Sequence, residues 1–467
     1  MIKYPQIRRG TRLPIHRSTS KAAFSSNARC CAEPVDLETH HRPAPDAAVA
    51  NQLKSINSLI AYGSWEAVVR LVDQQVKATH APEPVFQRAM FESARGFALD
   101  KLGRQEAAIK SYRSALNGFL SSRESAASGA PLTMECFASL SGLLISAGSY
   151  SEAVAVRQKA VEFIRPLVDE HPDLTPHLVR SLWRLGIALM QAEDSTGALS
   201  ALQDAYTLLQ RVQRRTAQID QLAADILRAM VAAYQTLKRW SDALPLSEQL
   251  VKKGKAAIGA ARPSGAPEDS LEATYVHDLC SHADTLWSMG RAAECLAAHE
   301  QSLAIVRRLY DRAPAEHALE LAALLHNYSL RQAPQAQFVL MTEGLGLLRG
   351  QSAKADRLRI TYLMNMSKLL RESGLDGTKD AREAVEIADR LAAGEPVVFW
   401  RARVDAREAL SRALEAAHRP RERLVVLKET IRIRRAHVPR SGATAKDVAE
   451  LINDLEKTSQ SVVSPTT

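Results

Sequence analysis

The chain has no hydrophobic run long enough to cross a bilayer. Its longest uncharged stretch, between Glu135 and Glu152, has 16 residues and includes two glycines and several serines. A transmembrane helix needs about 20 predominantly apolar residues. The sequence therefore predicts no membrane-spanning segment.

Cysteine and aromatic residues are also scarce. The five cysteines, at positions 30, 31, 136, 280 and 295, are odd in number and contain no Cys-x-x-Cys pair, so neither a disulfide framework nor a zinc ribbon is indicated. This favours a reducing compartment. Aromatic residues make up 5% of the chain although apolar residues make up 46%, so Ala, Leu, Val and Ile supply most of the apolar side chains. This composition favours an all-α fold.

Acidic residues are missing from the first 32 positions, which carry seven Lys or Arg side chains and several serines. Such a composition is typical of a mitochondrial transit peptide, but Pro5 and Pro14 would break the amphipathic helix that import requires. We therefore interpret residues 1–47 as a disordered basic segment and expect a cytoplasmic protein. A mitochondrial protein with a transit peptide is the alternative.

The rest of the chain has almost no net charge. The remaining 435 residues carry 54 basic and 52 acidic side chains, a net charge of +2. Nucleic-acid-binding proteins need a broad positive surface, so this balance disfavours a nucleic-acid partner. A basic cluster between Arg419 and Arg440 is interpreted as a solvated helix face.

Four alanines, at positions 108, 153, 198 and 243, recur at a constant spacing of 45 residues. Small residues stand twelve positions before and seven positions after most of these alanines. The residues twelve positions before them are Gly96, Ser141, Gly186 and Val231. Small side chains at such offsets let two antiparallel helices cross closely. The pattern therefore predicts a helical hairpin every 45 residues.

With less regular spacing the same pattern continues toward both ends of the chain. It predicts about nine helical hairpins over residues 48–437, which would form one helical-repeat domain. We interpret residues 438–467 as a capping helix over Ala443–Lys457 followed by a polar tail.

Three copies of this unit resemble the tetratricopeptide repeat. The clearest has Leu185-Gly186-x-x-Leu189 followed by Ala198, Leu202 and Ala205. The period exceeds the family's usual 34 and is similar to that of the long-helix kinesin light chain repeats; HEAT or armadillo arrays, with periods of about 40–47, are the alternative. The resemblance implies an all-α fold, a right-handed α–α superhelix in which the first helix of each hairpin lines a concave groove.

The resemblance also implies which residues line that groove, because positions 45 apart lie side by side on neighbouring first helices. We expect Arg180, Trp183 and Arg228 to form one patch, where guanidinium groups bind a carboxylate and the indole stacks on an apolar side chain. The predicted peptide-binding surface is completed by Gln235, His277 and Trp287. The Lys/Asn/Arg carboxylate clamp of chaperone-binding members is not reproduced.

No compact catalytic motif for phosphate binding, dinucleotide binding, zinc hydrolysis or a serine nucleophile occurs. One hairpin carries five side chains that could ligate zinc: His277, Cys280, His282, Cys295 and His299. Cys295 stands at a small-residue packing position, and His277 and Cys280 project from another side, so we expect structural roles. The sequence predicts no catalytic site, no metal and no cofactor.

The leading hypothesis is a non-enzymatic scaffold or adaptor that binds a protein partner in the groove, as an extended peptide or a helix, with acidic peptides as one class. An organellar helical-repeat RNA-binding protein is the alternative, which a transit peptide would favour. The 45-residue period and the near-neutral charge count against it.

Overall fold

The computed structural model describes residues 47–78, 85–122, 129–212, 216–264, 268–349, 353–437 and 452–460. Within these ranges all regular structure is helical, and eighteen α-helices follow one another as nine successive pairs before the helical stretch at 452–460. This confirms the prediction of an all-α fold built from about nine helical hairpins. The predicted basic segment 1–47 lies outside the described residues except for its last position, as does most of the predicted segment 438–467.

The chain divides into two compact units, Met1–Leu246 and Ser247–Thr467. The helices of the first unit are α1 (Ala47–Ala61), α2 (Trp65–Ala78), α3 (Val85–Lys101), α4 (Gln105–Ser121), α5 (Ala130–Ser146), α6 (Tyr150–Glu170), α7 (Thr175–Gln191), α8 (Ser195–Gln210), α9 (Ala217–Thr236) and the beginning of α10 (Trp240–Ser264). In each pair we call the odd-numbered helix the first helix and the even-numbered helix the second helix.

The second unit contains the rest of α10 and the helices that follow it. These are α11 (Glu268–Ser288), α12 (Ala292–Arg312), α13 (Pro314–Ser329), α14 (Pro334–Leu347), α15 (Ala353–Glu372), α16 (Thr378–Gly394), α17 (Pro396–Ala416) and α18 (Pro420–His437). None of the helices in the described ranges is long and apolar enough to span a membrane.

Small residues bring the helices of a pair together, as the 45-residue spacing predicts. The four alanines of the repeat are completely buried. A Cβ atom added at Gly96 of α3 would lie 3.1 Å from the ring of Tyr112 on α4, and one added at Gly186 of α7 would lie 2.6 Å from Leu202 Cγ on α8. The glycines therefore leave room for a large side chain of the second helix at the crossing.

Eight of the nine hairpin turns share one backbone geometry. Each contains one residue with a positive φ between 55° and 81°, and these residues are Gly63, Gly103, Gly148, Glu193, Lys238, Gly290, Gly374 and His418. The next N–H donates to a carbonyl five residues back, as from Arg104 to Leu99 at 2.9 Å. This is the longer hydrogen bond of the Schellman motif, which ends one helix and directs the chain into the next.

The turn between α13 and α14 departs from this pattern. Ala333 has an extended backbone, with φ −63° and ψ 152°, before Pro334 begins α14. Near this hairpin, the hydroxyl of Tyr362 on α15 donates to the carbonyl of Ala322 on α13 at 2.5 Å. The ring of Tyr362 occupies the space that a side chain at Gly344 of α14 would need.

Candidate functional site

In the first unit, each of three consecutive first helices leaves one stripe of side chains partly exposed. The stripe consists of positions 131, 135, 139, 142 and 145 on α5, positions 176, 180, 183, 187 and 190 on α7, and positions 221, 225, 228, 232 and 235 on α9. Steps of three and four residues keep these positions on one helix face, while most residues between them are buried. We call this surface the first-helix stripe.

Four of the six predicted site residues lie on the first-helix stripe. Arg180 is exposed, while Trp183 and Gln235 are partly buried. Arg228 is mostly buried, and its Nη1 donates to Asp225 Oδ1 at 2.8 Å. The structure thus places these residues on the same face, as predicted, and it adds Asp225 as the carboxylate that orients Arg228. Their binding role stays a prediction.

The indole of Trp183 has a property that the sequence does not reveal. Its Nε1 is buried and has no hydrogen-bond partner among the described residues. Buried indole N–H groups usually donate to a neighbouring acceptor, because losing water without replacement costs free energy. Trp183 therefore combines a partly exposed ring with an unused donor.

The chemical character of the first-helix stripe is mixed. Ile145, Ile187 and Met190 contribute partly exposed apolar side chains, and Arg180 contributes an exposed cation. Small residues, Gly142 and Ala232, lie between them. A surface of this kind can bury apolar side chains of a partner while charged groups at its borders select among partners.

The other two predicted residues belong to the second unit. His277 and Trp287 of α11 are both exposed, with 41% of Trp287 accessible. The guanidinium of Arg331 lies 5.8 Å from the centre of the Trp287 ring and donates from Nη2 to Asp284 on the same helix. The predicted residues therefore form two groups in separate units, and their action as one surface stays a prediction.

The possible zinc ligands have different neighbours. Cys295 and His299 of α12 are completely buried, and Cys280 of α11 contacts Ser302. His282 Nδ1 lies 2.9 Å from Ser247 Oγ, while His277 is exposed. Within the described part of the chain, no group of three metal-ligating side chains is close enough to hold an ion.

One position of the second helix contacts a first helix, either that of its own pair or that of the following pair. It lies four residues after the repeat alanine, or after Cys295 in α12, and we call it the knob position. Its occupants include Tyr112, Arg157, Leu202, Ser247 and His299. Tyr112 hydrogen-bonds to Ser139 of α5, Ser247 contacts His282 of α11, and the His299 ring lies 6.0 Å from Tyr328 of α13.

Arg157 at the knob position of α6 is a residue that sequence reasoning missed. It is 7% exposed, and its Nη2 donates to the carbonyl of Ala138 on α5 at 3.1 Å. Its Nε has no hydrogen-bond partner among the described residues. Burial lowers the pKa of Arg157, the nearby Arg184 of α7 lowers it further, and Glu135 of α5 partly opposes both.

A cavity of about 430 Å³ lies in the second unit, between α10, α11 and α12. Its polar wall includes Glu272, which is buried and paired with Arg308, and Tyr275, whose hydroxyl accepts a hydrogen bond from Gln301. Ile258 and Ile305 form part of the apolar wall of the cavity. No sequence pattern indicated this cavity, since its residues come from three helices and share no spacing.

The basic cluster near the end of the chain is partly neutralised within the described residues. Arg423 contacts Glu415 at 3.1 Å and donates to Thr458 in the helical stretch 452–460. Other ion pairs in this region are Arg419–Glu422, Arg432–Glu429 and Arg434–Glu408. These pairs agree with the interpretation of the cluster as a solvated helix face.

No protein-family model and no curated protein matches the sequence. The apo form of the quorum sensor NprR from B. thuringiensis matches 83% of this chain and 98% of its own, with a TM-score of 0.50 and 10% sequence identity. Aspartyl phosphate phosphatase F from Bacillus subtilis matches 81% and 96%, with a TM-score of 0.43 and 11% identity. A tetratricopeptide repeat protein from Parabacteroides merdae matches 67% and 98%, with a TM-score of 0.40 and 10% identity.

The chain has a tetratricopeptide-like fold. The prediction of a tetratricopeptide-like helical-repeat fold is therefore confirmed. At these identities the likeness is one of fold, and the tetratricopeptide-like fold itself places first helices with equivalent faces side by side. The binding properties of this chain must be argued from its own side chains.

Proposed function

We propose that this protein is a non-enzymatic scaffold or adaptor that binds an extended peptide along the first-helix stripe. The observation that carries the proposal is the stripe itself, a partly exposed face on three consecutive first helices. Its positions recur at 45-residue intervals, except that α5 exposes position 139 where the spacing predicts position 138. A peptide lying across these helices would meet similar positions at each step. Its affinity would come from several moderate contacts on a preformed surface.

Trp183 is the proposed anchor of this surface. Tryptophan is enriched among the residues that dominate binding energies, because a large rigid ring buries much area at a small entropic cost. The unused Nε1 donor could bond to a backbone carbonyl of the peptide after a small rotation of the side chain. Ile187 and Met190, one and two turns further along α7, would contact neighbouring apolar side chains of the peptide.

The arginines of the first-helix stripe would favour a peptide with acidic residues. Arg180 is exposed and available for a charge-assisted bond to a carboxylate. Arg228 is already oriented by Asp225, so it presents a fixed guanidinium. The proposal therefore predicts a partner with at least one acidic side chain next to an apolar one, in the cytoplasm as our preferred location.

The test begins with selection of peptides from a random displayed library on the full chain. Affinity of a selected peptide is then measured by fluorescence anisotropy for the wild type, for Trp183→Ala and for Gln158→Ala, a control on the exposed face of second helix α6. Trp183→Ala should weaken binding about 30-fold or more, and Gln158→Ala should have no effect. Equal affinities of all three proteins would place the binding surface elsewhere.

RNA binding is tested with the same proteins. A labelled single-stranded RNA that bound tightly, with an affinity falling steeply as salt increases, would contradict the peptide proposal and support the alternative. We expect no such binding, because many arginines of the described residues are already paired with carboxylates, as Arg113 is with Glu152.

A further inference from the structure

The cavity in the second unit lies where α10 leaves open space beside its neighbours. At Gly254 the helices are in close contact, since an added Cβ atom would lie 2.7 Å from Tyr275 Cδ2 on α11. At Gly259, further along α10, an added Cβ would meet none of the described neighbouring side chains within 4 Å. Gly259 is part of the cavity wall. The missing side chain therefore leaves room that a ligand can use.

The cavity combines buried apolar walls with a charged rim. Ile258 of α10, Tyr275 of α11 and Ile305 of α12 are buried. Lys255 of α10 and Arg308 of α12 also line the cavity, and both are exposed. Sites for small molecules have volumes of about 300–1,000 Å³ and set a few polar groups among apolar walls. The volume of about 430 Å³ and this lining suit a small molecule with an apolar body and a polar end.

The charges at the rim favour an anionic end. Arg308 donates from Nη2 to Glu272 Oε1 at 2.5 Å, so these two charges compensate each other. Lys255 forms no ion pair within the part of the chain that the structure describes. The Tyr275 hydroxyl accepts a hydrogen bond from Gln301 Nε2 at 2.9 Å and keeps its own hydrogen for donation. The cavity thus offers a cation and a hydroxyl donor to a ligand.

We propose that this cavity binds a small amphiphilic carboxylate. Its apolar body lies between Ile258 and Ile305, where burial removes apolar surface from water, and its carboxylate binds the ammonium group of Lys255. A single carboxylate matches the single uncompensated charge. All residues of the site belong to the second unit, and the proposal does not depend on peptide binding along the first-helix stripe.

The ligand class is tested by isothermal titration calorimetry of the full-length protein with octanoate. Octanamide has the same chain without the charge, octylammonium has the opposite charge, and acetate lacks the apolar body. Octanoate should bind with a Kd below about 1 mM, and octanamide about 5-fold more weakly. Octylammonium and acetate should give no measurable binding.

The role of the rim charge is tested with two lysines of α10. Lys255→Gln should weaken octanoate binding about 3- to 5-fold and leave octanamide binding unchanged. Lys253→Gln is the matched control, because Lys253 is exposed, does not line the cavity and points about 200° away around the helix from Lys255. The control should bind both molecules as the wild type does.

The location is tested by filling the cavity from either side. Gly259→Phe places a ring in the open space, and phenylalanine is a better helix former than glycine, so the variant should fold. Ala304→Phe fills the same space from α12. Each variant should abolish octanoate binding while its helical circular dichroism matches that of the wild type.

Three results would overturn this proposal. These are no binding of octanoate to the wild type, equal affinities for octanoate and octanamide, and unchanged octanoate binding in the folded Phe variants. A loss in Lys253→Gln as large as that in Lys255→Gln would likewise contradict the assignment of the carboxylate to Lys255. The proposed function fails on a different result, namely unchanged peptide affinity in Trp183→Ala.

Discussion

Leu202 of α8 fills the space left by the missing side chain of Gly186 on α7. A Cβ atom at Gly186 would lie 2.6 Å from Leu202 Cγ and 3.3 Å from the carbonyl oxygen of Ala198. Both neighbours belong to the second helix of the same hairpin, and Leu202 is completely buried. This contact sets how closely α7 and α8 approach, and it is the clearest expression of the 45-residue repeat in three dimensions.

Gly186→Ala should therefore destabilise the protein although alanine favours helices. The added methyl group must displace Leu202 or separate the two helices, and overpacking of this kind costs about 1–3 kcal/mol. The free energy of unfolding, measured in urea, should fall by that amount. Gly142→Ala in α5 is the matched control, since no atom lies within 4 Å of its added Cβ. The control should be neutral or more stable by up to about 1 kcal/mol, and equal losses in both variants would contradict the close crossing.

The residue with positive φ in each turn gives a second prediction. Lys238 adopts φ 58°, in a backbone region where a side chain costs roughly 1–2 kcal/mol, while Gly148 occupies the equivalent position two repeats earlier. Lys238→Gly should stabilise the protein by up to about 1 kcal/mol, because glycine enters this region freely but also gains entropy when unfolded.

Gly148→Ala is the reverse substitution and should destabilise by about 1 kcal/mol or more. Both variants are compared with the wild type by thermal unfolding. Stabilisation of both, or of neither, would show that the two turns do not share a strained conformation.

Two buried histidines predict how stability depends on pH. Burial, followed by the charge of Arg331, lowers the pKa of His299 to about 3. Burial also lowers the pKa of His326 to about 4, against a hydrogen bond with Asn327 that raises it. In the unfolded chain both would have a pKa of about 6.5.

Between these values the unfolded state binds more protons than the folded state, so acid favours unfolding. The stability should be fully present above about pH 6.5 and should decrease as pH falls toward 4, by up to about 1.4 kcal/mol per pH unit for each histidine. His299→Leu should remove its share of this slope, while between pH 7 and 8 the stability curves of variant and wild type should run parallel. An unchanged slope below pH 6.5 would show that His299 does not stay neutral in the folded protein.

The helical pairs could be predicted because the sequence signal for each hairpin lies within one short segment of the chain. Small residues recur at fixed offsets, and a hairpin needs only the two helices that carry them. Spacing also placed Arg180, Trp183 and Arg228 on one face, since the repeat carries every position to the same place in the next hairpin. The turn before Pro334 was not predicted, because it lacks the positive-φ residue that the other eight described turns share.

The side-chain partners could not be predicted in the same way. Asp225 orients Arg228, and Arg331 covers Trp287, through distances that depend on rotamers and on the turn before α14. Arg157 did leave a signal in the sequence, since a charged residue stands where neighbouring repeats have Tyr112 and Leu202.

The most direct test of the central claim, that a peptide binds along the first-helix stripe, is site-specific photo-crosslinking. The photoreactive residue p-benzoylphenylalanine replaces Met190 on the stripe in one protein and Gln158 on second helix α6 in another. Each is irradiated with a peptide selected on the wild type, and the products are identified by mass spectrometry. If the peptide binds along the stripe, position 190 should give a crosslink that excess unlabelled peptide abolishes, and position 158 should give none. A crosslink from position 158 and none from position 190 would contradict it.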